Sequence, residues 1–175
     1  MYIVPVNITI TTSVPQIKNT ASALDSISED DEILDEFAAD EEEALFLHSS
    51  GILMKEDGCI KLIYKENSKN GGGETDVMFV FREESPHIVS MVKGGELTTS
   101  LVFNSENTRN ICLHGPRMFP FEVVVCTEEL ENTISMRDGG RLTIAYSVEF
   151  KGIMADYNKL SIKVVPALNM KREEI

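Results

Sequence analysis

Cys112 and His114 stand one residue apart. If they share a strand, their thiol and imidazole face the same way, a pairing suited to zinc or to a thiolate nucleophile beside a base. Two ligands do not make a metal site. Cys126 and His48 are the available third and fourth donors, but nothing in their spacing ties them to the first pair, and a cysteine buried in a β-core is commonplace. Side chains two apart on a strand also seldom bring sulfur to bonding distance of a ring nitrogen. No Gly-x-Ser-x-Gly elbow, His-Glu-x-x-His pair or phosphate loop occurs. The triple glycine Gly71 to Gly73 reads as a hairpin loop, because strand patterns lie on both sides of it. Arg82, Arg117, Arg137, Arg141, His87 and Lys93 are scattered and form no basic cluster. No catalytic or metal-binding residue is assigned on these grounds, no cofactor is expected, and catalysis is the weakest of the functional readings.

The elements that would position these groups are strands. Leu142, Ile144, Tyr146, Val148 and Phe150 alternate with Thr143, Ala145, Ser147, Glu149 and Lys151, the period-two pattern of a sheet with one buried face. Leu160, Ile162 and Val164 repeat it, as do Leu97, Thr99, Leu101 and Phe103, and Val6, Ile8 and Ile10 near the N-terminus. Turn chemistry recurs between such runs at Asp57-Gly58, Gly94-Gly95 and Asp138-Gly139-Gly140, where glycine supplies the positive φ of tight hairpins. Links this short join only antiparallel neighbours, so a parallel sheet is excluded. About ten strands are predicted, and so large an antiparallel set removes its edges by closing into a barrel or, alternatively, by folding as a sandwich. Met78, Val80 and Val124 give some strands apolar residues on the second face as well. That face needs a cover, either a helix of the same chain or a second subunit, and a homodimer is the corresponding expectation.

Composition is that of an ordinary globular domain, with 42% apolar and 26% charged residues over 175 positions, and a single domain spanning 1–175 is expected. Its net charge of −13 is concentrated. Eleven acidic residues and no basic ones lie between Asp25 and Glu43, which leaves −2 on the remainder. The stretch 19–44 is therefore expected to be an acidic insert after the first strand. It is partly helical over Ser28 to Ala39, where Ile33, Leu34 and Phe37 share one face and Ser26 with Glu29, or Ser28 with Asp31, can close a capping box. The regular acidic spacing of a calcium loop is absent from it. A near-neutral body without a basic stripe predicts neither nucleic acid nor anionic membrane as a partner. Met1 to Thr9 alternates like a strand, and no apolar run is long enough to span a bilayer. A cytoplasmic protein with Cys59, Cys112 and Cys126 reduced is the resulting expectation.

The run Ile88 to Leu97, then Leu101-Val102-Phe103, His114-Gly115-Pro116, Phe121 to Thr127 and Gly140 to Tyr146 resembles the uncharacterised bacterial YwiB-like family in order and spacing. The opening Val6 to Ile10 and the strand around Gly51 extend the likeness. It implies a lipocalin-like (calycin) β-barrel and a function not yet established. The chain departs from the family pattern at Leu113-His114-Gly115-Pro116-Arg117-Met118, where only the proline keeps its place.

A barrel of this kind can enclose an apolar cavity. The first functional expectation is thus a binding protein for a small apolar molecule or peptide, with Ile8, Leu62, Phe79, Leu101, Phe121, Ile144, Tyr146 and Val148 facing inward by alternation. The second is a protein-interaction or structural module acting through the acidic segment.

Overall fold

A strand with one apolar face still carries a row of backbone N–H and C=O groups on each edge, and those groups must find partners. In the computed structural model, which describes residues 1–13, 44–67, 74–94, 97–116, 118–151 and 153–167, ten strands meet that demand by closing into a ring. They are β1 (Tyr2–Ser13), β2 (Ala44–Glu56), β3 (Cys59–Asn67), β4 (Glu74–Arg82) and β5 (Ser85–Lys93), then β6 (Leu97–Asn104), β7 (Arg109–Pro116), β8 (Phe121–Asn132), β9 (Gly140–Phe150) and β10 (Ile153–Pro166). Each is antiparallel to its neighbour in sequence, and β1 pairs on one side with β2 and on the other with β10. The fold is a closed up-and-down barrel, and the sandwich alternative falls away. Among the described residues no helix is long and apolar enough to cross a membrane. The helix expected over Ser28 to Ala39, the rest of the acidic stretch through Glu43, the Gly71 to Gly73 loop and Arg117 lie outside the described residues.

Alternation sorts the side chains as expected. Val6, Ile8 and Ile10 of β1, Leu142 and Ile144 of β9, and Ile162 and Val164 of β10 are buried together in one core. Met78, Val80 and Val124, one position out of phase with buried neighbours, are half-buried on the outer face.

The even-numbered hairpin turns all lie at one end of the ring, and they are short or tightly packed. Asp57 and Gly58 both take positive φ (51° and 76°), the two-residue hairpin that an Asp-Gly pair favours. The β8–β9 connection is longer than the glycine pattern suggests. Ser135 and Gly139 exchange backbone hydrogen bonds of 2.8 and 3.2 Å, and this folded-back segment buries Ile134 and Met136 in the core. That end of the barrel is thereby stoppered.

Gly51, opposite Val6 on one side and Tyr64 on the other, shows how tightly the wall is drawn. A Cβ there would lie 2.5 Å from the Ile63 carbonyl oxygen and 2.7 Å from Ile8 Cδ1. Glycine inside a strand marks such a close approach. Gly51→Ala is expected to cost about 2 kcal/mol by overpacking, read from urea unfolding. A loss below about 0.5 kcal/mol, the scale of a neutral surface change, would mean the β1–β2–β3 wall is looser than drawn.

Candidate ligand-binding site

The interior is filled at the stoppered end and open at the other. Near the stopper, Ile8, Leu53, Ile60, Leu62, Phe103 and Ile144 are almost wholly removed from solvent. Toward the opposite end the side chains no longer meet, and a cavity of about 520 Å³ remains.

Its walls differ in chemistry. On one side Val123 of β8, Tyr146, Val148 and Phe150 of β9, Leu160 of β10 and Ile10 of β1 line it. Val77, Phe79, Met91 and Leu101 add apolar surface from β4, β5 and β6. The β3–β7 side carries Tyr64, Glu66, Lys93, Thr99 and His114, while Thr12, Asn158 and Lys159 bring polar groups from β1 and β10. Strand register sets Tyr64 opposite Val77, Val77 opposite Lys93, Lys93 opposite Thr99, Thr99 opposite His114 and His114 opposite Phe121. Lys93 is ion-paired with Glu66, and both line the cavity. Thr99 Oγ1 and His114 Nδ1 are hydrogen-bonded at 2.9 Å. At the rim His114 and Phe121 meet edge to face with centroids 5.5 Å apart, and Phe121 meets Phe150 at 5.1 Å, geometries that aromatic rings favour.

Tyr64 is the most deeply set polar side chain of this side. It is only 5% exposed, and its ring is near-parallel to that of Phe79, 6.5 Å away. Burial pushes its phenol well above the ordinary value, and the nearby Glu66 charge adds to that. No hydrogen bond ties its hydroxyl to another described residue, and the hydroxyl opens onto the cavity.

Of the residues expected inside, Phe79, Leu101, Tyr146 and Val148 line the cavity, and Phe121 stands at its rim, 39% exposed. Ile8, Leu62 and Ile144 do face inward but belong to the filled half and do not line it. Alternation separates inside from outside and carries no information about height along the barrel. Sequence reasoning passed over Tyr64, Glu66, Lys93 and His114 as cavity residues. The signal was present in the same period: Ile60, Leu62, Tyr64 and Glu66 share one parity, as do Val89, Met91 and Lys93.

The cysteines and histidines do not converge. Cys112 is buried on the inner face, where its sulfur accepts the Val102 N–H at 3.2 Å and burial raises the thiol's pKa. Cys126 is on the outer face beside Glu149 and Arg109. Arg109 grips Glu149 with two hydrogen bonds of 2.9 and 2.8 Å and so lowers the Glu149 carboxyl. The Cys126 thiol donates to Glu149 at 3.3 Å and is held above its ordinary value, chiefly by burial and then by that bond. Such a thiol stays protonated and makes a poor nucleophile. His48 is outside too, bonded to Thr9 at 3.2 Å. Among the described residues no three metal-ligating side chains gather.

The family described as "Domain of unknown function (DUF1934)" matches residues 34–162. The ywiB protein from Bacillus subtilis, known from its crystal structure, is similar in fold, with a TM-score of 0.65 at 14% identity, over 94% of this chain and 93% of that one. No curated protein matches.

The raised Tyr64 phenol has a signed consequence. Above its ordinary value of 10.0 the unfolded chain releases a proton that the folded chain keeps, so stability falls as pH climbs through that window. Tyr64→Phe is expected to flatten this alkaline loss, measured by urea unfolding at successive pH values above 10. An unaltered slope would mean the phenol is open to water.

Proposed function

The chain belongs to the DUF1934 family, a domain of unknown function, and on that footing we propose that it is a non-catalytic binding protein that takes a small apolar molecule or an apolar peptide segment into the mouth of its barrel. The supporting observation is the cavity. Its volume of about 520 Å³ falls in the range of small-molecule sites, and a mainly apolar lining with a few convergent polar groups is their usual make-up. The free cysteines suit the cytoplasmic location that forms part of this proposal.

Catalysis has less support. The Thr99–His114 pair comes closest to a nucleophile with its base, but among the described residues no carboxylate orients the imidazole, whose neighbour is the edge of Phe121. The acidic segment on which the second reading rests lies outside the described residues. A second copy of the chain is the partner that the outer surface favours. Ile111 is 73% exposed opposite Val124 on β8, with Leu113 two positions along, and an apolar patch of this kind suits a symmetric interface. Light scattering is expected to give a dimer that Ile111→Asp turns into a monomer; a monomer at all concentrations would refute it.

The binding reading is tested with the uncharged dye N-phenylnaphthylamine, whose emission rises and shifts to the blue in an apolar site. Saturation at one dye per barrel is expected. Val148→Trp, which places an indole in the cavity, should weaken binding about tenfold, whereas Ile111→Ser on the outer wall should leave it unchanged. The opposite ordering of the two variants would place the dye on the surface and end the proposal.

A further inference from the structure

The proposed binding role leaves the chemistry of the ligand open, and one group in the cavity narrows it. Tyr64 is 5% exposed, lines the cavity and has no hydrogen-bond partner for its hydroxyl among the described residues. The hydroxyl is therefore the open end of an otherwise buried side chain and faces the cavity, where a polar group still calls for a hydrogen-bond partner. Such a hydroxyl is satisfied either by water or by an atom of the ligand.

The other polar groups nearby are already engaged. Lys93 is held by Glu66, Lys159 by Glu129, and Thr99 by His114. The raised phenol value keeps Tyr64 protonated, hence a donor, at any physiological pH. What reaches it must offer an acceptor. The Glu66 carboxylate is near enough to act on the phenol, and Lys93 compensates it. An anionic acceptor would therefore face a carboxylate whose counter-charge is in use, whereas a neutral carbonyl meets no such repulsion. Across the cavity Val123, Val148 and Leu160 present hydrocarbon, with Asn158 and the Glu129-paired Lys159 beside them.

We infer that Tyr64 is the specificity-determining residue of the cavity, and that the ligand is an uncharged amphiphile whose carbonyl oxygen accepts the Tyr64 hydroxyl while its hydrocarbon body lies on the β8–β10 wall. This rests on the binding role proposed above. It differs from a purely apolar ligand in requiring the acceptor, and from a free fatty acid in excluding the charge.

The test displaces N-phenylnaphthylamine from the full chain with three probes of matched length: methyl nonanoate, nonanoic acid and decane. Tyr64→Phe removes the hydroxyl alone and keeps the ring on Phe79. In the wild type the ester is expected to outcompete the acid at neutral pH. In Tyr64→Phe ester affinity should fall about fivefold, the usual worth of one hydrogen bond, with decane affinity unchanged. The carbonyl stretch of a bound isotope-labelled ester should lie lower in the wild type than in the variant. Equal loss for ester and decane, no loss for either, or an acid that binds best in the wild type would overturn the assignment of Tyr64 while leaving a binding barrel in place. Failure of the dye and of all three probes to bind would instead remove the binding role and this inference with it.

Discussion

The constraint on which the rest depends is the pairing of β1 with β10. Ten antiparallel strands joined in sequence would otherwise form an open sheet with two unsatisfied edges, each a template for aggregation. Closure removes both, and it also sets the interior volume. Barrel diameter grows with strand number, and about eight strands enclose just enough room for side chains to fill. Ten enclose more. The surplus either collapses, admits water or receives a ligand, and here a cavity opens at one end.

Connectivity explains why it lies at that end. In an up-and-down ring, the odd-numbered connections emerge on one rim and the even-numbered ones on the other. On the even rim Asp57-Gly58 and Glu83-Glu84 make minimal turns, and the β8–β9 segment folds back to bury Ile134 and Met136. Large side chains such as Phe103 and Phe81 then complete the filling below. The odd rim carries the long link from Ser13 to Ala44, and there the inward positions turn from aliphatic to Thr12, Glu66, Lys93 and His114. Polar and charged groups keep their hydration at a mouth and lose it at a floor, so the composition of each rim agrees with its exposure.

Much of this was legible in the residues. Period two in Leu142 to Phe150 named the inward face of β9, and Asp57-Gly58 named the β2–β3 hairpin, because both signals are local and depend only on backbone geometry. The choice of barrel over sandwich was not local, since it rests on whether β1 meets β10, more than 140 residues away in sequence. The site was half legible for a related reason. Phe79, Leu101, Tyr146 and Val148 were found by parity, but Ile8, Leu62 and Ile144 have the same parity and sit in the filled half. Lys93 was missed because it read as one of several scattered basic residues, and Tyr64 because the run Ile60, Leu62, Tyr64 and Glu66 was not followed to its polar end. The β8–β9 stopper was missed because Ile134 and Met136 fall outside any strand pattern.

The polar side of the cavity poses an energetic question that its geometry answers. A half-buried ion pair such as Glu66–Lys93 gains little net stability, because desolvation of both ends offsets their attraction. Nor does Tyr64 stabilise the fold through its hydroxyl, which opens onto the cavity and bonds no other described residue. Phenylalanine and a pair of aliphatic residues would pack the same positions at lower cost. Groups that a fold retains against its own stability are where selection for something other than folding is most easily read. In this barrel they lie on β3 and β5, with β4 between them, beside a space that ten strands leave unfilled.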